Sequence, residues 1–318
     1  MFFGVIPPGR DDLWKRFINY YLNCIIDVDA HLGTVLDALE ESGQADNTVI
    51  VFTSDHGELA GAHGLRQKGG VPFREVFNVP LAIVHPEGAR GATSAAVTSA
   101  VDLVPTLLPL AGVPTEELRE RYPGVVGRDV SEVIFDPAAP GPRGSADQPG
   151  DGALYTHDML QTYDVEWLVR NRESIMQLVK SDAAPGRPAA PEEEGHPTDL
   201  QSMLASMERP DFSKRNLFRA VFDGRHKLVR FFGARGYDTP GTVEQLLADN
   251  DVALYDLEAD PGELRNLAHP DDPAYDPALL ASLNAKLNAL VKAEIGTEVS
   301  VIDKLPAAFR TMGSAVES

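Results

Sequence analysis

The sequence predicts an α/β layer, read as part of a doubly wound sheet, followed by a smaller antiparallel β subdomain that ends in a helix. Three observations predict it. A long amphipathic helical stretch runs straight into a short apolar, β-branched run. A second apolar run and a second helical stretch come next. After about residue 125 the candidate strands are no longer separated by helices.

Asp11–Glu41 is the first helix. Phe17, Tyr21, Ile25, Val28, Leu32, Val35 and Leu39 recur at helical steps and make one apolar stripe. Asp11 or Asp12 suits its start, and Gly43 suits its C-terminal side. Val49–Thr53 then reads as a buried parallel strand, because it is unbroken apolar and β-branched. Val79–His85 reads as a second buried strand ended by Pro86, and Asp102–Leu110 as a helix capped by Asp102 and closed by Gly112. Farther on, ALYTH and VEWLV are strand candidates. FRAVF and KLVRF form a hairpin around Asp223-Gly224, and Pro277–Ala293 makes a final helix.

This order divides the chain into an α/β part at 1–135, a linker at 136–152 rich in Pro, Gly and Ala, and a second part at 153–318. Within the second part, 183–210 holds PGRPAAPEEEGHP and reads as an exposed loop.

At 318 residues the chain can bury a sizeable core, and 43% apolar content is that of an ordinary globular protein. A formal net charge of −20 argues against nucleic acid or an anionic membrane as partner. An anionic substrate would therefore need a local positive field. One cysteine, Cys24, excludes an internal disulfide framework and reads as a small buried hydrophobe. No apolar stretch is long enough to span a bilayer, and MFFGVIPPGR lacks the basic and apolar regions of a signal peptide, which favours a cytoplasmic setting.

The chemistry concentrates in TVIVFTSDHGELAGAHGLRQK, residues 48–68. A strand delivers Asp55 and His56 to its carboxyl end, where open α/β sheets bind ligands. A carboxylate and an imidazole are hard and borderline metal ligands. His63 returns a second imidazole within the same loop, and Lys68 follows it. Alone, an Asp-His-Gly is also an ordinary strand-end turn, and Arg66 an ordinary solvated loop residue. The junction without a spacer and the two later residues favour a site. His157, in THD near a strand end, is a weaker candidate.

With those residues in view, the chain resembles the sulfatase family of the alkaline-phosphatase-like superfamily. YYLNCIIDVDAHLGTVLDALEESGQADNTVIVFTSDHGE is similar to sulfatase sequence almost position by position. VPLAIVHPEG, AVDLVPTLLPLAGV, DGRHKLVRFF and LYDLEADPGELRNLA resemble the segments that follow it there. The resemblance implies a partial alkaline-phosphatase-like sheet and hydrolysis of a small sulfate ester. It implies Asp55 and His56 as metal ligands, Lys68 against the sulfate and leaving oxygen, and His63 beside the substrate or behind the ligands. It implies Ca²⁺, although Mn²⁺ or Mg²⁺ suits the ligand set about as well.

One departure matters. The family's nucleophile comes from a Cys/Ser-x-Pro/Ala-x-Arg motif modified to formylglycine, and Cys24 is followed by Ile25-Ile26-Asp27-Val28 instead. The acidic ligands that family members carry near their N-terminus have no counterpart either. The expectation is a chain that matches the second half of a sulfatase, inactive by itself and with an apolar face left uncovered. The alternatives are a non-catalytic homologue acting in binding or assembly, and a phosphonate or phosphate ester hydrolase of the same superfamily.

Overall fold

The computed structural model describes residues 6–158, 164–173, 211, 213–234 and 239–296. The chain forms two compact units. The first comprises Met1–Tyr155, Val221–Lys227 and Tyr255–Asn266; the second comprises Thr156–Ala220, Leu228–Leu254 and Leu267–Ser318. The expected loop at 183–210 lies outside the described residues.

In the first unit, helix α1 spans Asp11–Glu41 as the periodicity predicts, and Ser42 and Gly43 close it by donating to Ala38 and Glu40. Strand β1 is Ile50–Thr53; after a loop and the short helix α2 (Arg74–Phe77), strand β2 is Leu81–Val84. The two strands pair antiparallel, Ile50 opposite Val84 and Thr53 opposite Leu81. This corrects the parallel setting expected for β1. The connection through 54–80 is long enough for a crossover, but it folds as a loop with only the four-residue α2 and supplies no crossover helix of the kind that usually joins parallel partners.

The burial expected of these elements is also corrected. No residue of α1 is buried, and Phe52, Leu81 and Val84 are exposed. On α1, Trp14, Phe17 and Tyr21 are half-buried, while Tyr20, Ile26, Val28 and Val35 lie open, each more than half exposed. A helix apolar on both faces is normally covered on both. We therefore expect the purified 318-residue chain to bind a hydrophobic dye strongly and to self-associate. A monomer that leaves the dye dark would refute this exposure.

Downstream, Ser99 and Asp102 form a reciprocal capping box that leads into α3 (Leu103–Leu110). Helices α4 (Thr115–Arg121) and α5 (Ser131–Phe135) follow. The segment at 136–152, expected as a linker, is packed. Arg143 is fully buried and makes a two-pronged pair with Asp102, Nε to Oδ2 at 2.6 Å and Nη2 to Oδ1 at 2.7 Å. Its Nη1 donates to the Gly152 carbonyl at 3.1 Å. Pro and Gly here serve tight bridges, Ala96 to Ser145 and Gly144 to Pro149, rather than flexibility.

Four antiparallel-subdomain strands follow: β3 (Ala153–His157), β4 (Leu217–Phe222), β5 (His226–Phe232) and β6 (Asp251–Asp256), ordered β3-β4-β5-β6. The β4–β5 hairpin turns at Asp223, whose N–H donates to the His226 carbonyl. The VEWLV strand is corrected to a helix, α6 (Val165–Arg170), because Asp164 caps it by accepting from Trp167 N–H at 3.1 Å. In the second unit, α7 (Val243–Asp249) precedes β6, and α8 (Pro277–Glu294) closes the described chain. Asp276 caps α8 at the N–H groups of Ala278 and Leu279, and Pro277 stands in its first turn. Leu280, Leu283, Leu287, Leu290 and Val291 form its buried face. Among the described residues, no helix is long and apolar enough to cross a membrane.

Candidate active site

The site lies in the first unit, at the end of β1. Ser54 Oγ donates to the His56 carbonyl at 2.8 Å, and His56 N–H donates to Asp55 Oδ1 at 2.9 Å. These two bonds turn the chain so that Asp55 stands in solvent, its side chain 83% exposed. His56 Nδ1 lies 2.9 Å from the Gly57 carbonyl. A carbonyl only accepts, so this contact assigns the ring proton to Nδ1 and leaves the Nε2 lone pair outward. That Nε2 lies 2.6 Å from Lys68 Nζ and 3.4 Å from Asp55 Oδ2. Asp55, His56 and Lys68 thus converge.

A loop that folds onto itself brings Lys68 back. Glu58 Oε1 accepts from Ala60 N–H at 3.1 Å and from Gln67 N–H. Leu59 N–H donates to the Gln67 carbonyl at 3.1 Å, and the Leu59 side chain is buried. Partial desolvation raises the Asp55 carboxyl, but the His56 N–H, the imidazole and the Lys68 ammonium outweigh it and hold the group below its usual range. Gly57 is required by close approach and not by a sharp turn: a Cβ there would stand 1.9 Å from the Glu75 carbonyl oxygen.

His63 faces other groups. Its ring stacks on Phe73 with centroids 3.5 Å apart, and its Nε2 lies 4.0 Å from Glu75 Oε2. The ligand atoms of His63, Glu75 and Glu263 lie within 4.8 Å of one another. Lys227, buried in the same place, pairs with Glu263 and donates to the Pro72 carbonyl. Burial pushes the Lys227 ammonium below its ordinary range against the pull of Glu263. Burial, with the Glu263 charge second, pushes the Tyr155 hydroxyl up to about 12. Arg66 lies over the Phe17 ring at 5.8 Å, and His157 stacks on Phe218 at 5.4 Å.

Sequence reasoning missed Phe73, Glu75, Lys227 and Glu263. The available signal was that Lys227 and Glu263 sit in two segments singled out for their resemblance, DGRHK and DPGE. Ala60, His63, Gln67 and Glu263 are the described non-glycine residues with positive φ, from 46° to 65°. Each such residue costs on the order of 1–3 kcal/mol, which the surrounding contacts must hold. A cleft of about 250 Å³ lies lined by Arg74, Phe77, Tyr155, Arg225 and Lys227, and its lining omits Asp55, His56 and Lys68. Of its cations, Arg225 pairs with Asp256 at 2.6 Å and Lys227 with Glu263, while Arg74 Nη1 donates to the Pro261 carbonyl at 3.4 Å.

The sulfatase family model matches residues 6–113, the stretch that contains Asp55, His56, His63 and Lys68. An N-acetylglucosamine-6-O-sulfatase of Bacteroides thetaiotaomicron is 40% identical over 103 residues, 31% of this chain and 18% of that protein. A solved protein in complex with its substrate D-glucosamine-2-N,6-O-disulfate is 22% identical, with a TM-score of 0.53 over 86% of this chain and 40% of its own. The phosphonate monoester hydrolase of Agrobacterium radiobacter is 25% identical, with a TM-score of 0.51 over 86% of this chain and 42% of its own. The chain spans less than a third of the length of the first curated relatives it matches, at 22%, 18% and 31%. The structural neighbours share the alkaline-phosphatase-like fold. On the match over the site segment and the curated relatives, residues 6–113 of this chain are similar to the sulfatase family.

Proposed function

We propose that this chain carries part of the site of a metal-dependent sulfuric ester hydrolase, with Asp55 and His56 as two metal ligands and Lys68 as the cation for the ester. The convergence of these three side chains carries the proposal. The donor set fits a divalent ion: an open carboxylate and an imidazole whose Nε2 lone pair is exposed by the Nδ1 contact to Gly57. A bound divalent ion stabilises the negative charge that builds on the leaving oxygen as the S–O bond breaks. A lone pair given to that ion is withdrawn from Lys68, whose ammonium then serves a substrate oxygen. His63 supports the loop from behind, through Phe73 and Glu75.

By the family resemblance the ion is Ca²⁺, with Mn²⁺ and Mg²⁺ as chemical alternatives. Two ligands are far short of the six to eight oxygens that Ca²⁺ takes. Calorimetric titration of the isolated chain with Ca²⁺ and Mn²⁺ should therefore show weak binding, on the order of 10⁻⁴–10⁻³ M, lost in Asp55→Ala and His56→Ala. Submicromolar affinity abolished by Asp55→Ala would mean that further ligands lie within this chain. Millimolar binding indifferent to both changes would remove the site. The substrate class is a small sulfate ester; a sulfated amino sugar is the substrate named for two of the similar proteins.

A phosphonate or phosphate ester is the second reading, and one observation favours it. One phosphonate monoester hydrolase is a structural neighbour, while the His56 that follows Asp55 is by resemblance found in some sulfatases as well as in those hydrolases. The non-catalytic reading rests on the missing nucleophile motif, since Cys24 sits within α1.

A further inference from the structure

Two chain segments remote in sequence meet behind the candidate site. Glu263 Oε2 accepts the Arg74 N–H at 2.8 Å across a separation of 189 residues. Lys227 donates to the Pro72 carbonyl across 155 residues and pairs with Glu263. Both side chains are almost wholly buried. Between them they fix Pro72–Arg74, the start of α2. The next residues in the chain hold the loop. The Val76 carbonyl accepts Gly57 N–H at 2.8 Å, Phe73 stacks on the His63 ring, and Glu75 faces His63 Nε2. Gly57 is the residue after His56, and His63 is, with Ala60 and Gln67, one of the loop's three left-handed non-glycine positions.

Resting on the reading of Asp55, His56 and Lys68 as the site, we propose that Glu263 and Lys227 are positioning residues for it. They hold the start of α2 so that the loop at 57–67 closes and sets Lys68 against His56. A metal on His63, Glu75 and Glu263 is the competing use of the same groups. The Lys227 ammonium argues against it, because it already neutralises Glu263 in that space and would repel a second cation. The Glu263 backbone is itself left-handed at φ 53°, a costly conformation at a residue other than glycine.

Hydrogen exchange on the full 318-residue chain tests the proposal through Glu263→Ala and Glu263→Gln. Glutamine keeps an oxygen for the Arg74 N–H; alanine does not. The alanine variant should speed exchange at Gly57, Leu59, Gly61 and Gln67 by about tenfold or more and shift the His56 ring resonances. The glutamine variant should restore most of that order. Amides of α8, in the second unit, should be unchanged in both. Equal acceleration in α8 and in the loop would overturn positioning in favour of general destabilisation. So would an alanine variant with unmoved loop amides and His56 resonances, or a glutamine variant no better than alanine. Should Glu263→Ala fail to fold, Lys227→Met and Lys227→Arg carry the same comparison, because arginine keeps a donor for the Pro72 carbonyl. Broadening of the wild-type His56 resonances by Mn²⁺ reports separately on the metal site. Its absence would count against that site while the exchange comparison still judges the positioning.

Discussion

Asp102→Ala should cost the first unit about 3–5 kcal/mol, the loss that follows when one partner of a buried ion pair is removed. Asp102 accepts from Ser99 N–H and Arg128 N–H, each at 2.8 Å, besides both prongs of Arg143. Its loss strands a guanidinium that is fully buried and frees two backbone donors at once. Arg143→Met should be nearly as damaging, since it leaves the buried carboxylate with backbone partners only. The double variant should lose less than the sum of the two, because neither charge is then stranded. Two units need not unfold together, so a single unfolding midpoint is the wrong readout. Exchange of the α3 amides, which lie beside this pair in the chain, is the right one. A loss below about 1 kcal/mol for either single change would show that water reaches the pair and relieves it.

The purified chain should show no turnover of an aryl sulfate, a deficit on the order of the 10⁶-fold or greater acceleration that enzymes supply. In the proposed site, Lys68 and a half-held metal would stabilise a leaving oxygen but would supply no atom to attack sulfur. By resemblance that atom belongs to formylglycine, and no Cys/Ser-x-Pro/Ala-x-Arg motif occurs in these residues. A separately folded and modified polypeptide carrying the motif should restore turnover on mixing, and Lys68→Ala should abolish the restored rate. Turnover by this chain alone, lost in both Lys68→Ala and Asp55→Ala, would require a nucleophile within it and would overturn the proposed division of labour.

Local pattern sufficed wherever one stretch of chain carried its own constraint. The bounds of α1, the β4–β5 hairpin and the capped start of α8 follow from helical period, an Asp-Gly turn and an Asp-Pro cap. The meeting of Asp55, His56 and Lys68 was legible for the same reason, since one loop of the chain carries all three. VEWLV was ambiguous because five residues fit either period; the Asp164 cap decided for helix. Tertiary structure alone decided the rest. Whether β1 pairs parallel or antiparallel depends on the partner that reaches it, and β2 does so in reverse. The apolar run of β1 predicts burial, but burial needs a covering surface that no local pattern supplies. Arg143, in a segment that reads as a linker, becomes a core residue through a carboxylate 41 positions away. Glu263 and Lys227 reach the start of α2 over separations at which sequence spacing carries no geometric information, so only the folded chain could bring them there.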